Sequence, residues 1–245
     1  EFIGGSLEFN PKNNKISASF YRIARDKYST ARFKKNIPID VEKDNIDMLS
    51  VSAHKFNAPK GIGFLYIKKG INIENLMFGG QQEKGHRPGT ENAAFIIGMD
   101  VAQKIAISEM AERNEKEIKI RDHMIDRILK EIPYTRLNGD KIKRVPNNVN
   151  VSIRFIEGES LLLSLEEVGI CASTGSACAS GSLDPSHVLL AIGLPHEIAH
   201  GSLRLTINHE TTMEDADYIV DNLKKVVENL RKMSPLYEDY IRSTK

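Results

Sequence analysis

Cysteine is scarce in this chain. Only Cys171 and Cys178 occur among 245 residues, too few for a disulfide framework and without the paired spacing of a zinc site. At least one of them is therefore a candidate for chemistry. No apolar run approaches the ~20 residues that span a bilayer, and no charged start followed by an apolar core marks a secretory signal. The expectation is a soluble, intracellular protein of the cytoplasm with no membrane partner. Charge of one sign is missing too. The 34 basic residues are matched by 33 acidic ones with no long run of either, which argues against nucleic acid as a partner and leaves a small molecule or another protein. No internal repeat and no Pro- or Ser-rich linker separates independent domains.

What the chain has is 40% apolar content, enough for one large domain or two modest ones, and two are expected. Residues 1–35 stay unassigned: Gly4-Gly5 and Asn10-Pro11 read as turns, and the stretch from Ile16 to Lys35 is basic and Ser-rich with Asp26 as its one acid. From Ile37 the pattern becomes orderly, leading through a charged, helix-like segment toward a strand, as a crossover in a layered α/β domain would.

The informative stretch is Ser50 to Tyr66. Ile46 to Val51 and Ile62 to Ile67 read as short buried strands. Between them lie Lys55 and a turn built on Pro59, Gly61 and Gly63, whose backbone can approach a ligand closely. A lysine held between two buried strands, next to Ser52 and His54, is expected to be partly desolvated, which makes its amine a nucleophile fit for a Schiff base. The plain alternative is an exposed lysine in an ordinary connection.

Residues 79–90, Gly-Gly-Gln-Gln-Glu-Lys-Gly-His-Arg-Pro-Gly-Thr, form a loop that offers backbone N–H groups and the Thr90 hydroxyl just before a helix. An anion such as phosphate fits there, and a flexible surface turn is the alternative. A helix is predicted from Glu91 to about Ile132, with a possible break near Ser108, and Pro133 ends it. Its apolar stripe, Ala94, Ile97, Val101 and Ile105 followed by Ile118, Met124, Ile125, Ile128 and Leu129, reads as core. Val149 to Phe155 reads as a strand and Glu159 to Val168 as a helix closed by Gly169.

Then comes a run of small residues, from Ser173 to Ser182, with Cys178 in its middle. Such composition buries too little apolar area to offset ordering, so a mobile loop with an accessible cysteine is expected. Cys171, beside Ile170, reads as core. Ser202 to Asn208 alternates as a strand that puts Leu203, Leu205 and Ile207 on one face and Arg204 on the polar one. Thr212 with Asp215 signals a capping box for a helix ending near Lys232. The tail from Ser234 to Tyr240 reads as a docking strip.

Six blocks in this order resemble the cysteine desulfurases, and in particular the carboxy-terminal portion of the long-catalytic-loop subgroup that feeds iron–sulfur cluster assembly. They are Ser-Ala-His-Lys at 52–55, the loop at 79–90, Val-Pro-Asn-Asn-Val-Asn-Val-Ser at 145–152, Glu-Gly-Glu-Ser-Leu-Leu-Leu at 157–163, the stretch from Ser176 to Leu189, and Ala-His-Gly-Ser-Leu-Arg at 199–204. The resemblance implies an α/β protein of the fold-type I class that depends on pyridoxal 5'-phosphate. Residues 36–108 would be the end of the large α/β domain and residues 109–245 the small α+β domain with the cysteine loop. Lys55 would hold pyridoxal phosphate through a Schiff base, Ser52 and His54 would contact its phosphate, and Thr90 would reach the phosphate of a neighbouring subunit, which implies a homodimer. Arg204 would clamp the carboxylate of L-cysteine. Cys178 would remove the substrate's sulfur, leaving alanine and a persulfide destined for an iron–sulfur scaffold or another acceptor protein.

The resemblance also implies an aspartate on the pyridine nitrogen, shortly before the Ile37 segment. The corresponding places hold Lys27, Ser29 and Arg32. Three readings follow: a desulfurase, a non-catalytic desulfurase-like protein that docks the acceptor, or another class V enzyme such as a selenocysteine lyase or an aminotransferase. A mobile cysteine has no use in the aminotransferase.

Overall fold

A computed structural model describes residues 7–10, 15–18, 40–174 and 185–243. The described residues divide into two compact units, the first extending to Met110 and the second beginning at Ala111. Strands β1 (Leu7–Asn10) and β2 (Lys15–Ala18) form an antiparallel hairpin with Leu7 opposite Ala18.

In the first unit the Asp40 carboxylate accepts the N–H groups of Glu42 and Lys43, each at 3.2 Å. The segment expected to be helical is thus a tight turn, because the aspartate side chain satisfies the backbone groups that a helix would have used. Two strands follow, β3 (Met48–Ser52) and β4 (Gly63–Ile67), paired antiparallel with Leu49 opposite Tyr66 and Val51 opposite Phe64. They are half-buried, not buried as expected: Leu49 and Val51 point inward while Met48, Ser50 and Ser52 are exposed, as strand alternation dictates. The inward residues pack with Ala53, Phe56 and Ala58, and against Phe64, Tyr66 and Met99.

Helix α1 runs unbroken from Ala93–Glu131. Ser108 does not interrupt it, since its hydroxyl donates back to the Ile105 carbonyl at 3.0 Å. Asn92 caps its start, its Oδ1 accepting the Phe95 N–H at 3.2 Å. The apolar stripe has two fates. Met124, Ile125 and Ile128 are fully buried, but Ile97 is 64% and Val101 50% exposed. Periodicity shows that a face is apolar and does not show what covers it.

The second unit is built on a three-stranded antiparallel sheet of β5 (Thr135–Leu137), β6 (Asn148–Ile153) and β7 (Ser202–Thr206), in that order. Its helices are α2 (Gly158–Glu166), α3 (His187–Ala191), α4 (His196–His200), α5 (Met213–Lys232) and α6 (Pro235–Ser243). One sheet face carries Val149, Val151, Ile153, Leu203 and Leu205. These form one core with Met124, Ile125 and Ile128 of α1, Leu161 and Leu165 of α2, and Val220 and Leu223 of α5. Each such side chain contributes about 1.5–3 kcal/mol by leaving water. The other face is polar, and it positions the residues of interest.

The helices are tied by specific polar contacts. Thr212 Oγ1 accepts the Asp215 N–H at 3.0 Å and Asp215 Oδ2 accepts the Thr212 N–H at 2.8 Å, the expected capping box. His123 Nε2 and Arg127 Nη1 of α1 both donate to Asp217 of α5, at 2.6 and 2.9 Å. The histidine contact, then the arginine, holds the Asp217 carboxyl below its usual range. The chain's tail is helical and occupied by its own chain. Tyr237 and Tyr240 of α6 pack edge-on or tilted against Tyr134 and Phe155, with ring centroids 4.8–6.2 Å apart, so the expected docking strip has its aromatic face turned inward. The buried Arg231 closes this cluster by donating to the carbonyls of Pro133 and Arg154.

Candidate functional site

Ser52 ends β3, and the chain turns at once into one 3-10 turn, Ala53–Phe56, closed by Asn57 in the left-handed region at φ 66°. Ala53 and Phe56 are buried and anchor that turn from below. Ser52, His54 and Lys55 consequently emerge from adjacent positions of one rigid corner, and all three are exposed. Lys55 is therefore not the desolvated lysine between buried strands that its sequence neighbours suggest. The strands are only half-buried, and nothing among the described residues covers Lys55.

Thr90 lies in the same unit, at the end of the glycine-rich loop. The loop is shaped by internal bonds: Arg87 Nη1 donates to the carbonyls of Gly89 and Thr90, both at 3.1 Å, and Gln82 Oε1 accepts the Gly89 N–H at 3.1 Å. Gly89 takes φ 104°, a conformation that L side chains rarely adopt. Thr90 is exposed, and its carbonyl is fixed by Arg87.

Arg204 belongs to the second unit, on the polar face of the sheet. Antiparallel register sets Asn150 of β6 opposite it, and an isolated bridge sets Ser173 opposite it on the other side. Paired residues project to the same face, so Asn150, Arg204 and Ser173 form a row. At one end Asn138 Nδ2 donates to Asn150 Oδ1 at 2.7 Å; at the other, Arg204 Nη2 donates to Ser173 Oγ at 3.3 Å. Ser173 was not singled out in the sequence, because a contact between residues 31 positions apart leaves no local pattern.

Cys178 lies outside the described residues, as does the rest of 175–184. Cys171 is exposed, not core as expected, although Ile170 beside it is buried. Another pattern passed over in the sequence is His196-Glu197-Ile198-Ala199-His200, a metal-ligand spacing on a helix. The two imidazoles are 4.7 Å apart between centroids, but no group of three metal-ligating side chains exists among the described residues.

The donor set of the first unit fits the aldehyde and phosphate ends of pyridoxal phosphate. A primary amine, an imidazole and a hydroxyl stand together on one corner. The pyridine-nitrogen end is not assigned, since Lys27, Ser29 and Arg32 lie outside the described residues.

A cysteine desulfurase IscS from Clostridium botulinum is 55% identical over 210 residues, covering 85% of this chain and 53% of that protein. The cysteine desulfurase IscS from Methanosarcina thermophila is 53% identical over 201 residues, covering 82% and 50%. Among solved structures, a NifS-like protein superposes with a TM-score of 0.70 at 34% identity, covering 79% of this chain and 50% of that one. A NifS-like protein from Rickettsia africae gives 0.71 at 26% identity, with 78% and 50% covered. The chain thus spans about half the length of the relatives it matches, and it carries the corresponding part of their α/β fold. The model of the family described as aminotransferase class-V matches residues 31–219, and the chain belongs to that family.

Proposed function

We propose that this chain is a cysteine desulfurase polypeptide that uses pyridoxal 5'-phosphate to take sulfur from L-cysteine. The observation that carries this reading is the 55% identity with a protein named cysteine desulfurase; Lys55, Arg204 and Cys178 stand in the blocks that carry the family resemblance. Residues up to about 108 would belong to the cofactor-binding domain and those from 109 onward to the small domain.

Lys55 would hold the cofactor through its amine, Ser52 and His54 would hold its phosphate, and Thr90 would reach the phosphate site of a second copy in a homodimer. When bound, the cofactor supplies an electron sink for the substrate's α-carbon. Arg204 binds the substrate carboxylate with its planar fork, and the Lys55 amine moves the α-proton. The Cys178 thiolate attacks the substrate's sulfur. The Cβ–S bond breaks, an S–S bond forms, and the protein keeps a persulfide while alanine leaves. The persulfide would pass to a sulfur-acceptor protein of iron–sulfur assembly in the cytoplasm.

The test is alanine release from L-cysteine by the purified chain supplied with pyridoxal phosphate, with and without a thiol acceptor. Cys178→Ser is expected to abolish persulfide formation while leaving cofactor loading intact. The exposure of Lys55 and the half-length match favour a second reading, a chain that loads the cofactor but does not turn over without a polypeptide supplying the rest of the relatives' length. In that case alanine appears only when such a polypeptide is added.

A further inference from the structure

We infer that Ser173 is a positioning residue for Arg204, holding its guanidinium oriented before a substrate carboxylate arrives; this rests on the desulfurase reading above. The two residues form a hydrogen-bonded antiparallel pair: the Arg204 N–H donates to the Ser173 carbonyl at 2.7 Å and the Ser173 N–H donates to the Arg204 carbonyl at 3.1 Å. Their side chains therefore leave the backbone side by side on the polar face, and Arg204 Nη2 reaches Ser173 Oγ at 3.3 Å. The serine proton is directed elsewhere, to the Thr174 carbonyl at 3.4 Å, which leaves the oxygen as an acceptor toward the arginine. A long, flexible arginine loses rotamer freedom on binding a carboxylate, and a neighbour that restricts it beforehand reduces that loss.

The next residue fixes the same corner. A Cβ placed on Gly158 would lie 2.7 Å from Thr174 Cγ2 and 2.7 Å from the His200 carbonyl oxygen, so Thr174 lies flush against the start of α2. Ser173 and Thr174 are thus registered from two sides, on β7 and on α2.

The experiment compares the full chain with Ser173→Ala and Ser173→Thr, each supplied with pyridoxal phosphate. One arm measures KM and kcat for L-cysteine; the other follows rotation of the Arg204 guanidinium by NMR on arginine-labelled protein. Loss of the hydroxyl is expected to raise KM about tenfold with kcat within about twofold and to speed guanidinium rotation, and threonine is expected to restore both. A residue that serves only the sheet would lower stability without this KM-against-kcat split. An unchanged KM, or a guanidinium held equally in the alanine variant, overturns the inference. If the alanine variant does not fold, Ser173→Cys, of similar size but a weak acceptor, replaces it. If no cysteine is turned over even with a polypeptide supplying the rest of the relatives' length, the desulfurase reading fails by itself. The NMR arm then decides, with unchanged rotation overturning the inference and faster rotation supporting it.

Discussion

At the scale of residues, burial and partners set what each charged group does. Glu117 on α1 is half-buried, and desolvation, opposed by Arg113 and Lys116, pushes its carboxyl from 4.5 up to about 7. A carboxyl whose folded value lies above its unfolded one binds its proton more tightly when folded. Its contribution is therefore present at low pH and lost as pH rises from 4.5 through about 7. Thermal melts across that window should show the stability of the unaltered chain falling relative to Glu117→Gln, and parallel pH profiles would contradict this. The contrast with Lys55 is instructive. Its sequence neighbours promised a desolvated amine, yet the 3-10 turn after β3 turns Ala53 and Phe56 inward and leaves Lys55 exposed. Cys171 failed as a core residue in the same way, because one buried neighbour, Ile170, does not fix the next side chain.

Elements were legible where their signals are local. The capping box at Thr212 and Asp215, and the Leu203, Leu205 and Ile207 alternation, depend on neighbours within a few residues, and both stand in the structure. Thr212→Ala should cost about 1 kcal/mol, read as a lower denaturation midpoint with an unchanged slope; no loss would mean that tertiary packing alone holds the start of α5. The start of α1 was not read from a cap signal, and the structure supplies one, the Asn92 side chain accepting the Phe95 N–H. Long-range pairs were illegible altogether, among them the Ser173 bridge to Arg204 and the seating of α6 on Tyr134 and Phe155.

For the whole molecule, the family and the order of motifs were readable, whereas the completeness of the site was not. The second unit holds a continuous core from α1, α2, α5 and both long strands. Residues 111–245 expressed alone are therefore expected to unfold in one cooperative transition; a gradual, non-cooperative loss of structure would contradict this. The first unit carries the Ser52–Lys55 corner on a two-stranded sheet, a small base for independent stability, and it leaves Phe78 89% and Ile97 64% exposed. Among the described residues nothing covers these faces or Lys55. The apolar pattern announced a covering surface but could not name it.

If the Ser52–Lys55 corner is a pyridoxal phosphate site, mixing the chain with pyridoxal phosphate, reducing with borohydride and mapping the modified peptide will show it directly. A visible absorbance band that borohydride removes is expected, with the reduced adduct on Lys55 and its loss in Lys55→Ala. An adduct scattered over surface lysines, or none at all, would contradict it.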